Sequence, residues 1–543
     1  MNSDKIFPNF LESLFLRQIP AEAILPYPTL DDDDLEFAEM MLTTQKKFID
    51  ENINAEAIDQ AATIDSALIN AYAELGFFAM IIPEEFEGAE TPYTTYCRLN
   101  EDLCRADASF STLLGAHQSL AMKPILLAAS NEQKERWLPK LASGEYLGAF
   151  ALTEPSAGSD VHNLKSVAEP SEDGSHYILN GEKLYITNGS YANFITYFTR
   201  IPRKQEDGSI KYNVACMVIL RDMEGVSTGL PEKKMGLKGS ATTTVTCQNV
   251  KVPVENLVGG ENDGFMLAMQ TLNYGRLSLA ASTVGVMKEM LKLTREFADQ
   301  RVTFGKTIIN HGMVAKMIAD MEIDLFVSEA LAYLTAGNVD RGQKEFQLES
   351  ACSKTFCTEA CWRVVNNAVQ INGGMGYMSE YPYERALRDT RINLIFEGTN
   401  EIQRMFIALF STKKIGKMLA EGKISQDSPL NLEGFDEKLD EAKDRFLEMV
   451  DILSKNAMEI TTKFGKDIVN KQLVQMRLSD IAIYTYATAA AISKTQHLIK
   501  CNSTQTEKAL KITNFFTHDA LTNIKLWEKA IWDNQDDLLL SIV

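Results

Sequence analysis

The chain has 543 residues, of which 45% are hydrophobic and 24% are charged, and its formal net charge is −20. This length exceeds what one hydrophobic core accommodates, so the composition predicts a globular protein with several domains. A strongly acidic chain repels a phosphate backbone, which argues against nucleic acid as a partner. A few placed Arg, Lys or backbone N–H groups still suffice to hold an anionic small molecule.

The elements follow one another as helical, β, helical and helical segments. The run Asp31–Asp34 opens a periodic stretch and is typical of a helix N-terminus, where acidic side chains favour the dipole. Short β-branched runs such as "YNVACMVIL" and "TTTVTCQNVKVPV", bounded by turn residues, predict a compact β domain. The pattern does not alternate strand and helix, which argues against a Rossmann sheet. We therefore expect a mostly α protein with a central β domain, divided into segments 1–149, 150–258, 259–412, 413–432 (a linker) and 433–543.

Eight Cys are scattered along the chain, and only Cys357 and Cys361 lie one helical turn apart. Neither His nor further Cys completes a zinc spacing, so we expect reduced core thiols, no metal site and a reducing compartment. The first residues include Asp4 and Glu12 and lack the features of a signal or transit peptide, which predicts a cytoplasmic protein. A trimmed mitochondrial protein, in the matrix or at the inner-membrane face, stays an alternative.

Nucleotide-binding motifs of the common kinds are missing from the sequence. No G-x-G-x-x-G follows a strand, and "FGKT" at 304–307 fails as a phosphate loop because Gln300 stands where the first glycine belongs. Any nucleotide cofactor must therefore be held by another fold.

Small residues and hydroxyls crowd the stretch "FALTEPSAGSD" at 150–160, which either admits a ligand to the backbone or merely joins two domains. In "NGEKLYITNGS", Tyr185 presents an aromatic face beside Thr187, but an ordinary hairpin edge is the favoured explanation of this stretch taken alone. Arg301 and Phe304 lie near the end of a predicted helix, where an Arg commonly caps the helix or faces solvent.

The stretch "LIFEGTNEIQR" at 394–404 places Glu397 between an apolar run and a helix start. Thr399 or Asn400 provides the cap, and Asn400 with Gln403 has capping-box spacing. Glu397 either interacts favourably with the helix dipole or acts as a general base. In the second case, an apolar neighbourhood raises the pKa of its carboxyl group towards neutral. The apolar face of the following helix is expected at Ile402, Met405, Phe406, Leu409 and Phe410.

Together these stretches resemble the acyl-CoA dehydrogenase family, and most closely its very-long-chain branch. The resemblance rests on "ALTEPSAGSD", on the segment from Gln370 to Arg391, and on "FPNFLESLF", "TLLGAHQSL", "PEKKMGLKGS", "LNYGRLSLA", "IFEGTNEIQR" and "IVNKQLVQMRLSD", which span nearly the whole chain. It implies a helical N-terminal domain, a β-barrel or sandwich middle domain and a four-helix-bundle C-terminal domain, followed by an extra C-terminal helical region. It also implies a homodimer, with FAD bound between domains and across the dimer interface.

The implied reaction is α,β-dehydrogenation of a fatty acyl-CoA to the trans-2-enoyl-CoA, with electrons passed to an electron-transfer flavoprotein. By resemblance, Glu397 is the base, and Arg276, Ser159 and Gly398 meet the substrate. The implied FAD-binding residues are Phe150, Leu152, Thr153, Gly158, Ser159, Tyr185, Ile186, Thr187, Arg301, Phe304, Gln370, Gly373, Gly374, Thr399 and Glu401.

The sequence departs from the family in two places. Tyr185 stands where the family usually has Trp, which offers a smaller surface to a flavin ring. The lysine-rich segment from about 412 to 432 has few bulky apolar residues and is shorter than in membrane-associated relatives, so peripheral membrane contact stays open. An assembly scaffold for a respiratory complex and an acyl-CoA oxidase are the alternative functions.

Overall fold

The computed structural model describes residues 9–423 and 430–543 of the chain. Part of the predicted linker 413–432, and the start of "FPNFLESLF", lie outside these ranges. The helices within them are α1 Phe10–Phe15, α2 Asp32–Asn52, α3 Ala55–Ala61, α4 Ser66–Glu74, α5 Tyr93–Ala106, α6 Ala108–Gly115, α7 Lys123–Ala128, α8 Asn131–Ala142, α9 Gly264–Gln300, α10 Gly312–Asp340, α11 Gln347–Asn372, α12 Gly374–Tyr377, α13 Pro382–Thr390, α14 Asn400–Ala420, α15 Asp440–Phe464, α16 Gln472–Lys500, α17 Thr506–Trp532 and α18 Asp536–Leu540.

The strands fall mainly in one region, between the first and second groups of helices. They are β1 Gly148–Ala151, β2 Val167–Pro170, β3 His176–Ile186, β4 Phe194–Lys204, β5 Ile210–Leu220, β6 Val226–Thr228, β7 Thr243–Pro253, β8 Leu257–Val258, β9 Val302–Thr303 and β10 Lys306–Thr307. The predicted order of helical, β and helical segments is therefore the observed order.

The chain divides into two compact units. One unit contains residues 31–286 and 379–392, and the other contains residues 1–30, 287–378 and 393–543. Each unit joins segments that are distant in sequence, so the units group the chain differently from the predicted segments. The segment boundaries stay predictions.

In the first unit a single sheet has the strand order β6-β7-β3-β2-β4-β5-β8, and β1 pairs in parallel with β4. Strand β4 is covered on both faces: Phe194 and Phe198 pack against α8 and α9, whereas Ile195 and Tyr197 pack against the other strands. This double burial explains why four of its first five residues are large and apolar instead of alternating strictly with polar ones.

The Asp run begins a helix as predicted, because Asp31 caps α2 by accepting the N–H of Asp34. In the second unit, α16 packs against α10, α11, α14, α15 and α17, so the C-terminal extension shares its core with the helices before it. Helix α14 continues to Ala420, beyond residue 413, where the predicted linker begins. No helix within the described ranges is long and apolar enough to cross a lipid bilayer.

The eight Cys residues all lie within the described ranges, and none of them forms a disulfide. The prediction of core thiols is wrong for Cys501, which is exposed at the C-terminal end of α16. A helix end faces solvent unless another element covers it, and the spacing of Cys residues carries no information on that.

Candidate functional site

The predicted site residues fall into two groups, one in each unit. The first unit holds Phe150, Leu152, Thr153, Gly158, Ser159, Tyr185, Ile186, Thr187 and Arg276. The second unit holds Arg301, Phe304, Gln370, Gly373, Gly374, Glu397, Gly398, Thr399 and Glu401.

In the first unit the end of β1 runs beside the end of β3. The N–H of Leu184 donates to the carbonyl oxygen of Thr153 at 2.9 Å, which joins the loop after Phe150 and Leu152 to the residue before Tyr185. The structure therefore brings together two stretches of predicted cofactor-binding residues that are distant in sequence.

A buried ion pair holds these two stretches in place. The ammonium of Lys183 donates to Glu154 and, at 3.0 Å, to the carbonyl oxygen of Leu152. Burial lowers the pKa of Lys183 to about 8, although the charge of Glu154 opposes that shift. Burial alone would raise the pKa of Glu154, but the Lys183 ammonium and the Ser166 hydroxyl outweigh it and lower that pKa. Neither residue was predicted from the sequence, although Glu154 lies inside "FALTEPSAGSD".

The ring of Tyr185 is presented to the outside of this unit. Tyr185 is 66% exposed and has a left-handed backbone with φ +57°, at an irregularity in the pairing of β3 with β7. Ile186 is buried and Thr187 is half-buried. An exposed, rigidly placed aromatic ring at this position suits stacking on a flat ligand.

The loop at 155–160 points outward, with Gly158 and Ser159 exposed. A Cβ atom added to Gly158 would meet nothing within 4 Å, so the loop has open space in front of its backbone. Arg276 differs from these residues, because it is buried on α9, where its guanidinium donates to Asn273 at 3.2 Å.

In the second unit the end of α11 exposes a polar and glycine-rich surface. Gln370, Gly373 and Gly374 are exposed, and the two glycines leave open space where a Cβ would stand. Gly373 has φ +58° and ψ −129°, a conformation that only glycine adopts readily. A ligand can therefore approach the backbone closely here.

A short hairpin of β9 and β10 carries another predicted pair. Arg301 is exposed directly after α9, and the ring of Phe304 is 97% exposed at the tip of the hairpin, where φ is +51°. The exposed ring of Phe304 is therefore available for contact with a ligand or a partner.

Glu397 lies in a left-handed turn just before α14. Its φ is +59° and that of Gly398 is +85°, and Glu397 is half-buried. Thr399 caps the helix, because its hydroxyl oxygen accepts the N–H of Ile402 at 3.3 Å, and Glu401 is exposed in the first turn.

The predicted capping box of Asn400 and Gln403 is wrong. Asn400 is already the first helical residue, and the Gln403 amide donates instead to the carbonyl oxygens of Glu397 and Gly398. The expected apolar wall is also incomplete, since Ile395 is 46% exposed. Two consecutive left-handed residues redirect the chain here, and the sequence pattern does not reveal that change of direction.

The predicted apolar face of α14 is likewise wrong. The five apolar residues expected to form it are only half-buried. The buried face contains Gln403, Ile407, Ala408, Ser411, Thr412 and Ile415, together with Asn400. Polar side chains at the start of this helix are buried because they have polar partners on α11. Asn400, for example, hydrogen-bonds to Lys354 and Glu359.

Each unit has a surface that fits part of a flavin nucleotide. In the first unit, Gly158 leaves open space before the backbone and the exposed ring of Tyr185 offers a stacking surface. In the second unit, Gly373 and Gly374 leave open space where a ligand can lie against the backbone. The part of the chain that the structure describes contains no group of His, Cys, Asp and Glu that could hold a metal ion.

Comparison with known families gives matches along most of the chain. Residues 36–145, 149–250 and 262–411 match the N-terminal, middle and C-terminal domains of acyl-CoA dehydrogenase. Residues 437–537 match the ACAD9/ACADV C-terminal domain.

The chain is also similar to individual acyl-CoA dehydrogenases in sequence and in structure. The chain is 37% identical over 513 residues to the very long-chain specific mitochondrial acyl-CoA dehydrogenase of Mus musculus, covering 90% of this chain and 78% of that protein. An acyl-CoA dehydrogenase complexed with FAD from Bacillus anthracis has a TM-score of 0.83 at 29% identity, covering 98% of this chain and 94% of that one. Butyryl-CoA dehydrogenase from Megasphaera elsdenii has a TM-score of 0.66 at 33% identity, covering 70% and 98%.

Proposed function

Because the chain belongs to the acyl-CoA dehydrogenase family of FAD-dependent oxidoreductases, we propose that it dehydrogenates long- or very-long-chain fatty acyl-CoA in fatty-acid β-oxidation. The product is the trans-2-enoyl-CoA. The preference for long chains is supported by the match to the ACAD9/ACADV C-terminal domain and by the very long-chain relatives.

The residues proposed to hold FAD are those with exposed backbone or rings. In one unit these are the loop from Phe150 to Ser159 and the turn at Tyr185. In the other they are the glycines after α11, the hairpin carrying Phe304, and the start of α14 at Thr399 and Glu401. When bound, FAD supplies an acceptor for the hydride that leaves the β-carbon of the substrate.

Glu397 is the proposed base that removes the α-proton of the thioester. That proton is weakly acidic, so the carbonyl of the thioester must be polarised, and we assign this to the backbone N–H of Glu397. Gly398 has no side chain and leaves room for the thioester beside the base. The carrying observation is the turn itself, which holds a half-buried carboxylate at a fixed point before a capped helix.

The proposed partners are the CoA substrate, an electron-transfer flavoprotein and a second copy of the chain. Arg276 and Ser159 bind the CoA portion, and an electron-transfer flavoprotein reoxidises the enzyme. The active form is a homodimer in which Arg301, Phe304, Gln370, Gly373 and Gly374 meet the FAD of the other subunit, a role that the nearly complete exposure of Phe304 supports. The free thiols suit a reducing compartment, cytoplasmic or mitochondrial.

Replacing the carboxylate tests the assignment of the base. Glu397→Gln keeps the side-chain volume but removes the proton acceptor, so bound flavin should persist while acyl-CoA no longer bleaches it. Glu421→Gln, an exposed change at the far end of the same helix, should behave as the unchanged protein. Normal turnover by Glu397→Gln would exclude Glu397 as the base.

A further inference from the structure

The turn that carries Glu397 adopts a backbone conformation that its sequence does not favour. Glu397 is not a glycine, yet its φ is +59°, in the left-handed region that side chains disfavour. Conformations of this kind persist only where the surrounding structure fixes them. The position of the carboxylate therefore depends on whatever holds this turn.

Two buried side chains hold the carbonyl oxygens of the turn. The Gln403 amide donates to the carbonyl oxygen of Glu397 at 3.0 Å and to that of Gly398 at 3.2 Å. The Lys354 ammonium donates to the carbonyl oxygen of Gly398 at 2.9 Å. Both side chains are completely buried, so water does not compete for these bonds.

The two donors belong to a larger polar network. Lys354 also donates to Asn400 at 2.6 Å, and the Asn400 amide donates to Glu359 at 3.1 Å. Arg404 donates to both oxygens of Glu359, at 2.7 and 3.0 Å, and at 2.7 Å to Asp480. The network thus joins α11 and α14 to α16 of the C-terminal extension.

Burial of Gln403 includes one energetically unfavourable feature. Its carbonyl oxygen Oε1 is buried and has no hydrogen-bond partner among the described residues. Burying an unpaired polar atom is unfavourable, so the amide is retained here as a donor to the turn.

We propose that Gln403 is a positioning residue for the reaction: with Lys354 as the second donor, it fixes the left-handed turn and so aims the Glu397 carboxylate at the α-proton. This inference rests on the proposed function of Glu397 as the base. Gln403 itself touches neither substrate nor reacting atoms; it acts through the backbone of the turn.

The chain offers a matched control. Gln475, near the start of α16, is also buried, and its amide also donates to two preceding carbonyl oxygens, those of Ile468 at 2.5 Å and Val469 at 3.2 Å. Gln403→Met and Gln475→Met therefore remove the same kind of bonds from the start of a helix. Only the first change removes them from the turn that carries Glu397.

The test measures anaerobic flavin bleaching by palmitoyl-CoA in a single turnover, for the FAD-loaded proteins. A misplaced base lowers the rate constant, whereas a misfolded fraction lowers only the amplitude. For Gln403→Met we expect a rate constant about 10- to 100-fold lower, at nearly full amplitude, since misplacement of a reacting group by about 1 Å has effects of that order. We also expect a larger isotope effect with α-deuterated substrate, because proton removal then limits the rate. Gln475→Met should keep the original rate constant and isotope effect.

An unchanged rate constant for Gln403→Met, or an equal loss for Gln475→Met, would overturn the proposal. If Gln403→Met does not fold, Gln403→Asn takes its place, since its shorter side chain keeps an amide but withdraws the donor from Glu397, and the same outcomes decide. The variant Glu397→Gln distinguishes the proposed role of Glu397 as the base from the proposed positioning role of Gln403. A dead Glu397→Gln with a fully active Gln403→Met refutes the positioning role alone, whereas an active Glu397→Gln refutes the base and the positioning role together.

Discussion

The Nζ atom of Lys183 lies 2.7 Å from Oε1 of Glu154, and both side chains are buried in the first unit. The pair links the loop after β1 to the end of β3, the two stretches proposed to face FAD. Charges buried in this way are expensive to separate, because removal of one partner leaves the other without compensation.

Lys183→Met should therefore destabilise the protein and weaken its hold on FAD. Breaking a buried pair of this kind costs about 3–5 kcal/mol of unfolding free energy. Chemical denaturation gives that free energy, and the absorbance ratio after gel filtration gives the bound flavin. The control is Lys140→Met, which breaks an exposed pair with Glu145 and should leave the unfolding free energy nearly unchanged. Similar losses in both variants would show that the buried pair has no special role.

The ring of Tyr185 should matter for flavin binding and hardly at all for stability. Tyr185→Ala removes the exposed stacking surface, so we expect less bound flavin, with the unfolding free energy of the apoprotein changed by at most about 0.5 kcal/mol. Tyr185→Trp should keep or raise flavin binding, because its ring is larger. Tyr212→Ala, an exposed aromatic change on β5, serves as the control. Full flavin retention by Tyr185→Ala would contradict the stacking role.

Glu349 should make the stability of the protein depend on pH. Its side chain is completely buried on α11, where burial raises its pKa to about 7 against the opposing effect of the Leu11 N–H, and the charge of Glu12 adds to the rise. The folded protein then holds this proton above the ordinary Glu range. The protonated Glu349 side chain stabilises the folded protein fully at pH values below the ordinary pKa of Glu. This stabilisation is lost as the pH rises through about 7.

Glu349→Gln removes this linkage, which amounts to at most about 1.4 kcal/mol per pH unit. Between about pH 5 and about pH 8, its unfolding free energy should fall less than that of the unchanged protein. Denaturant titrations at both pH values measure the difference, and the exposed Glu448→Gln should follow the unchanged protein. Parallel pH dependence in the two proteins would argue against a protonated Glu349.

Some features of the fold and site followed from the sequence because they are local. The cap before α2, the β character of the middle segment, and the position of Glu397 just before a helix start depend on neighbouring residues only.

Other features depend on contacts between distant residues and were not predicted. The ion pair of Glu154 and Lys183 forms only because the loop after β1 meets β3. The sequence pattern therefore did not predict it. The buried face of α14 contains Gln403 because Glu397 and Gly398 turn their carbonyl oxygens towards it. An apolar periodicity count misses this, since it assumes that the most apolar face is the buried one.

We propose that the chain oxidises a long acyl-CoA with its FAD and passes the electrons to another flavoprotein. The most direct test is anaerobic flavin bleaching against saturated acyl-CoAs of graded chain length, followed by addition of electron-transfer flavoprotein. We expect fast bleaching by long chains, slow bleaching by short ones, and return of the flavin colour when the acceptor is added. No bleaching by any acyl-CoA would contradict the enzyme and favour a scaffold, and reoxidation by O₂ with release of peroxide, but not by electron-transfer flavoprotein, would favour an oxidase.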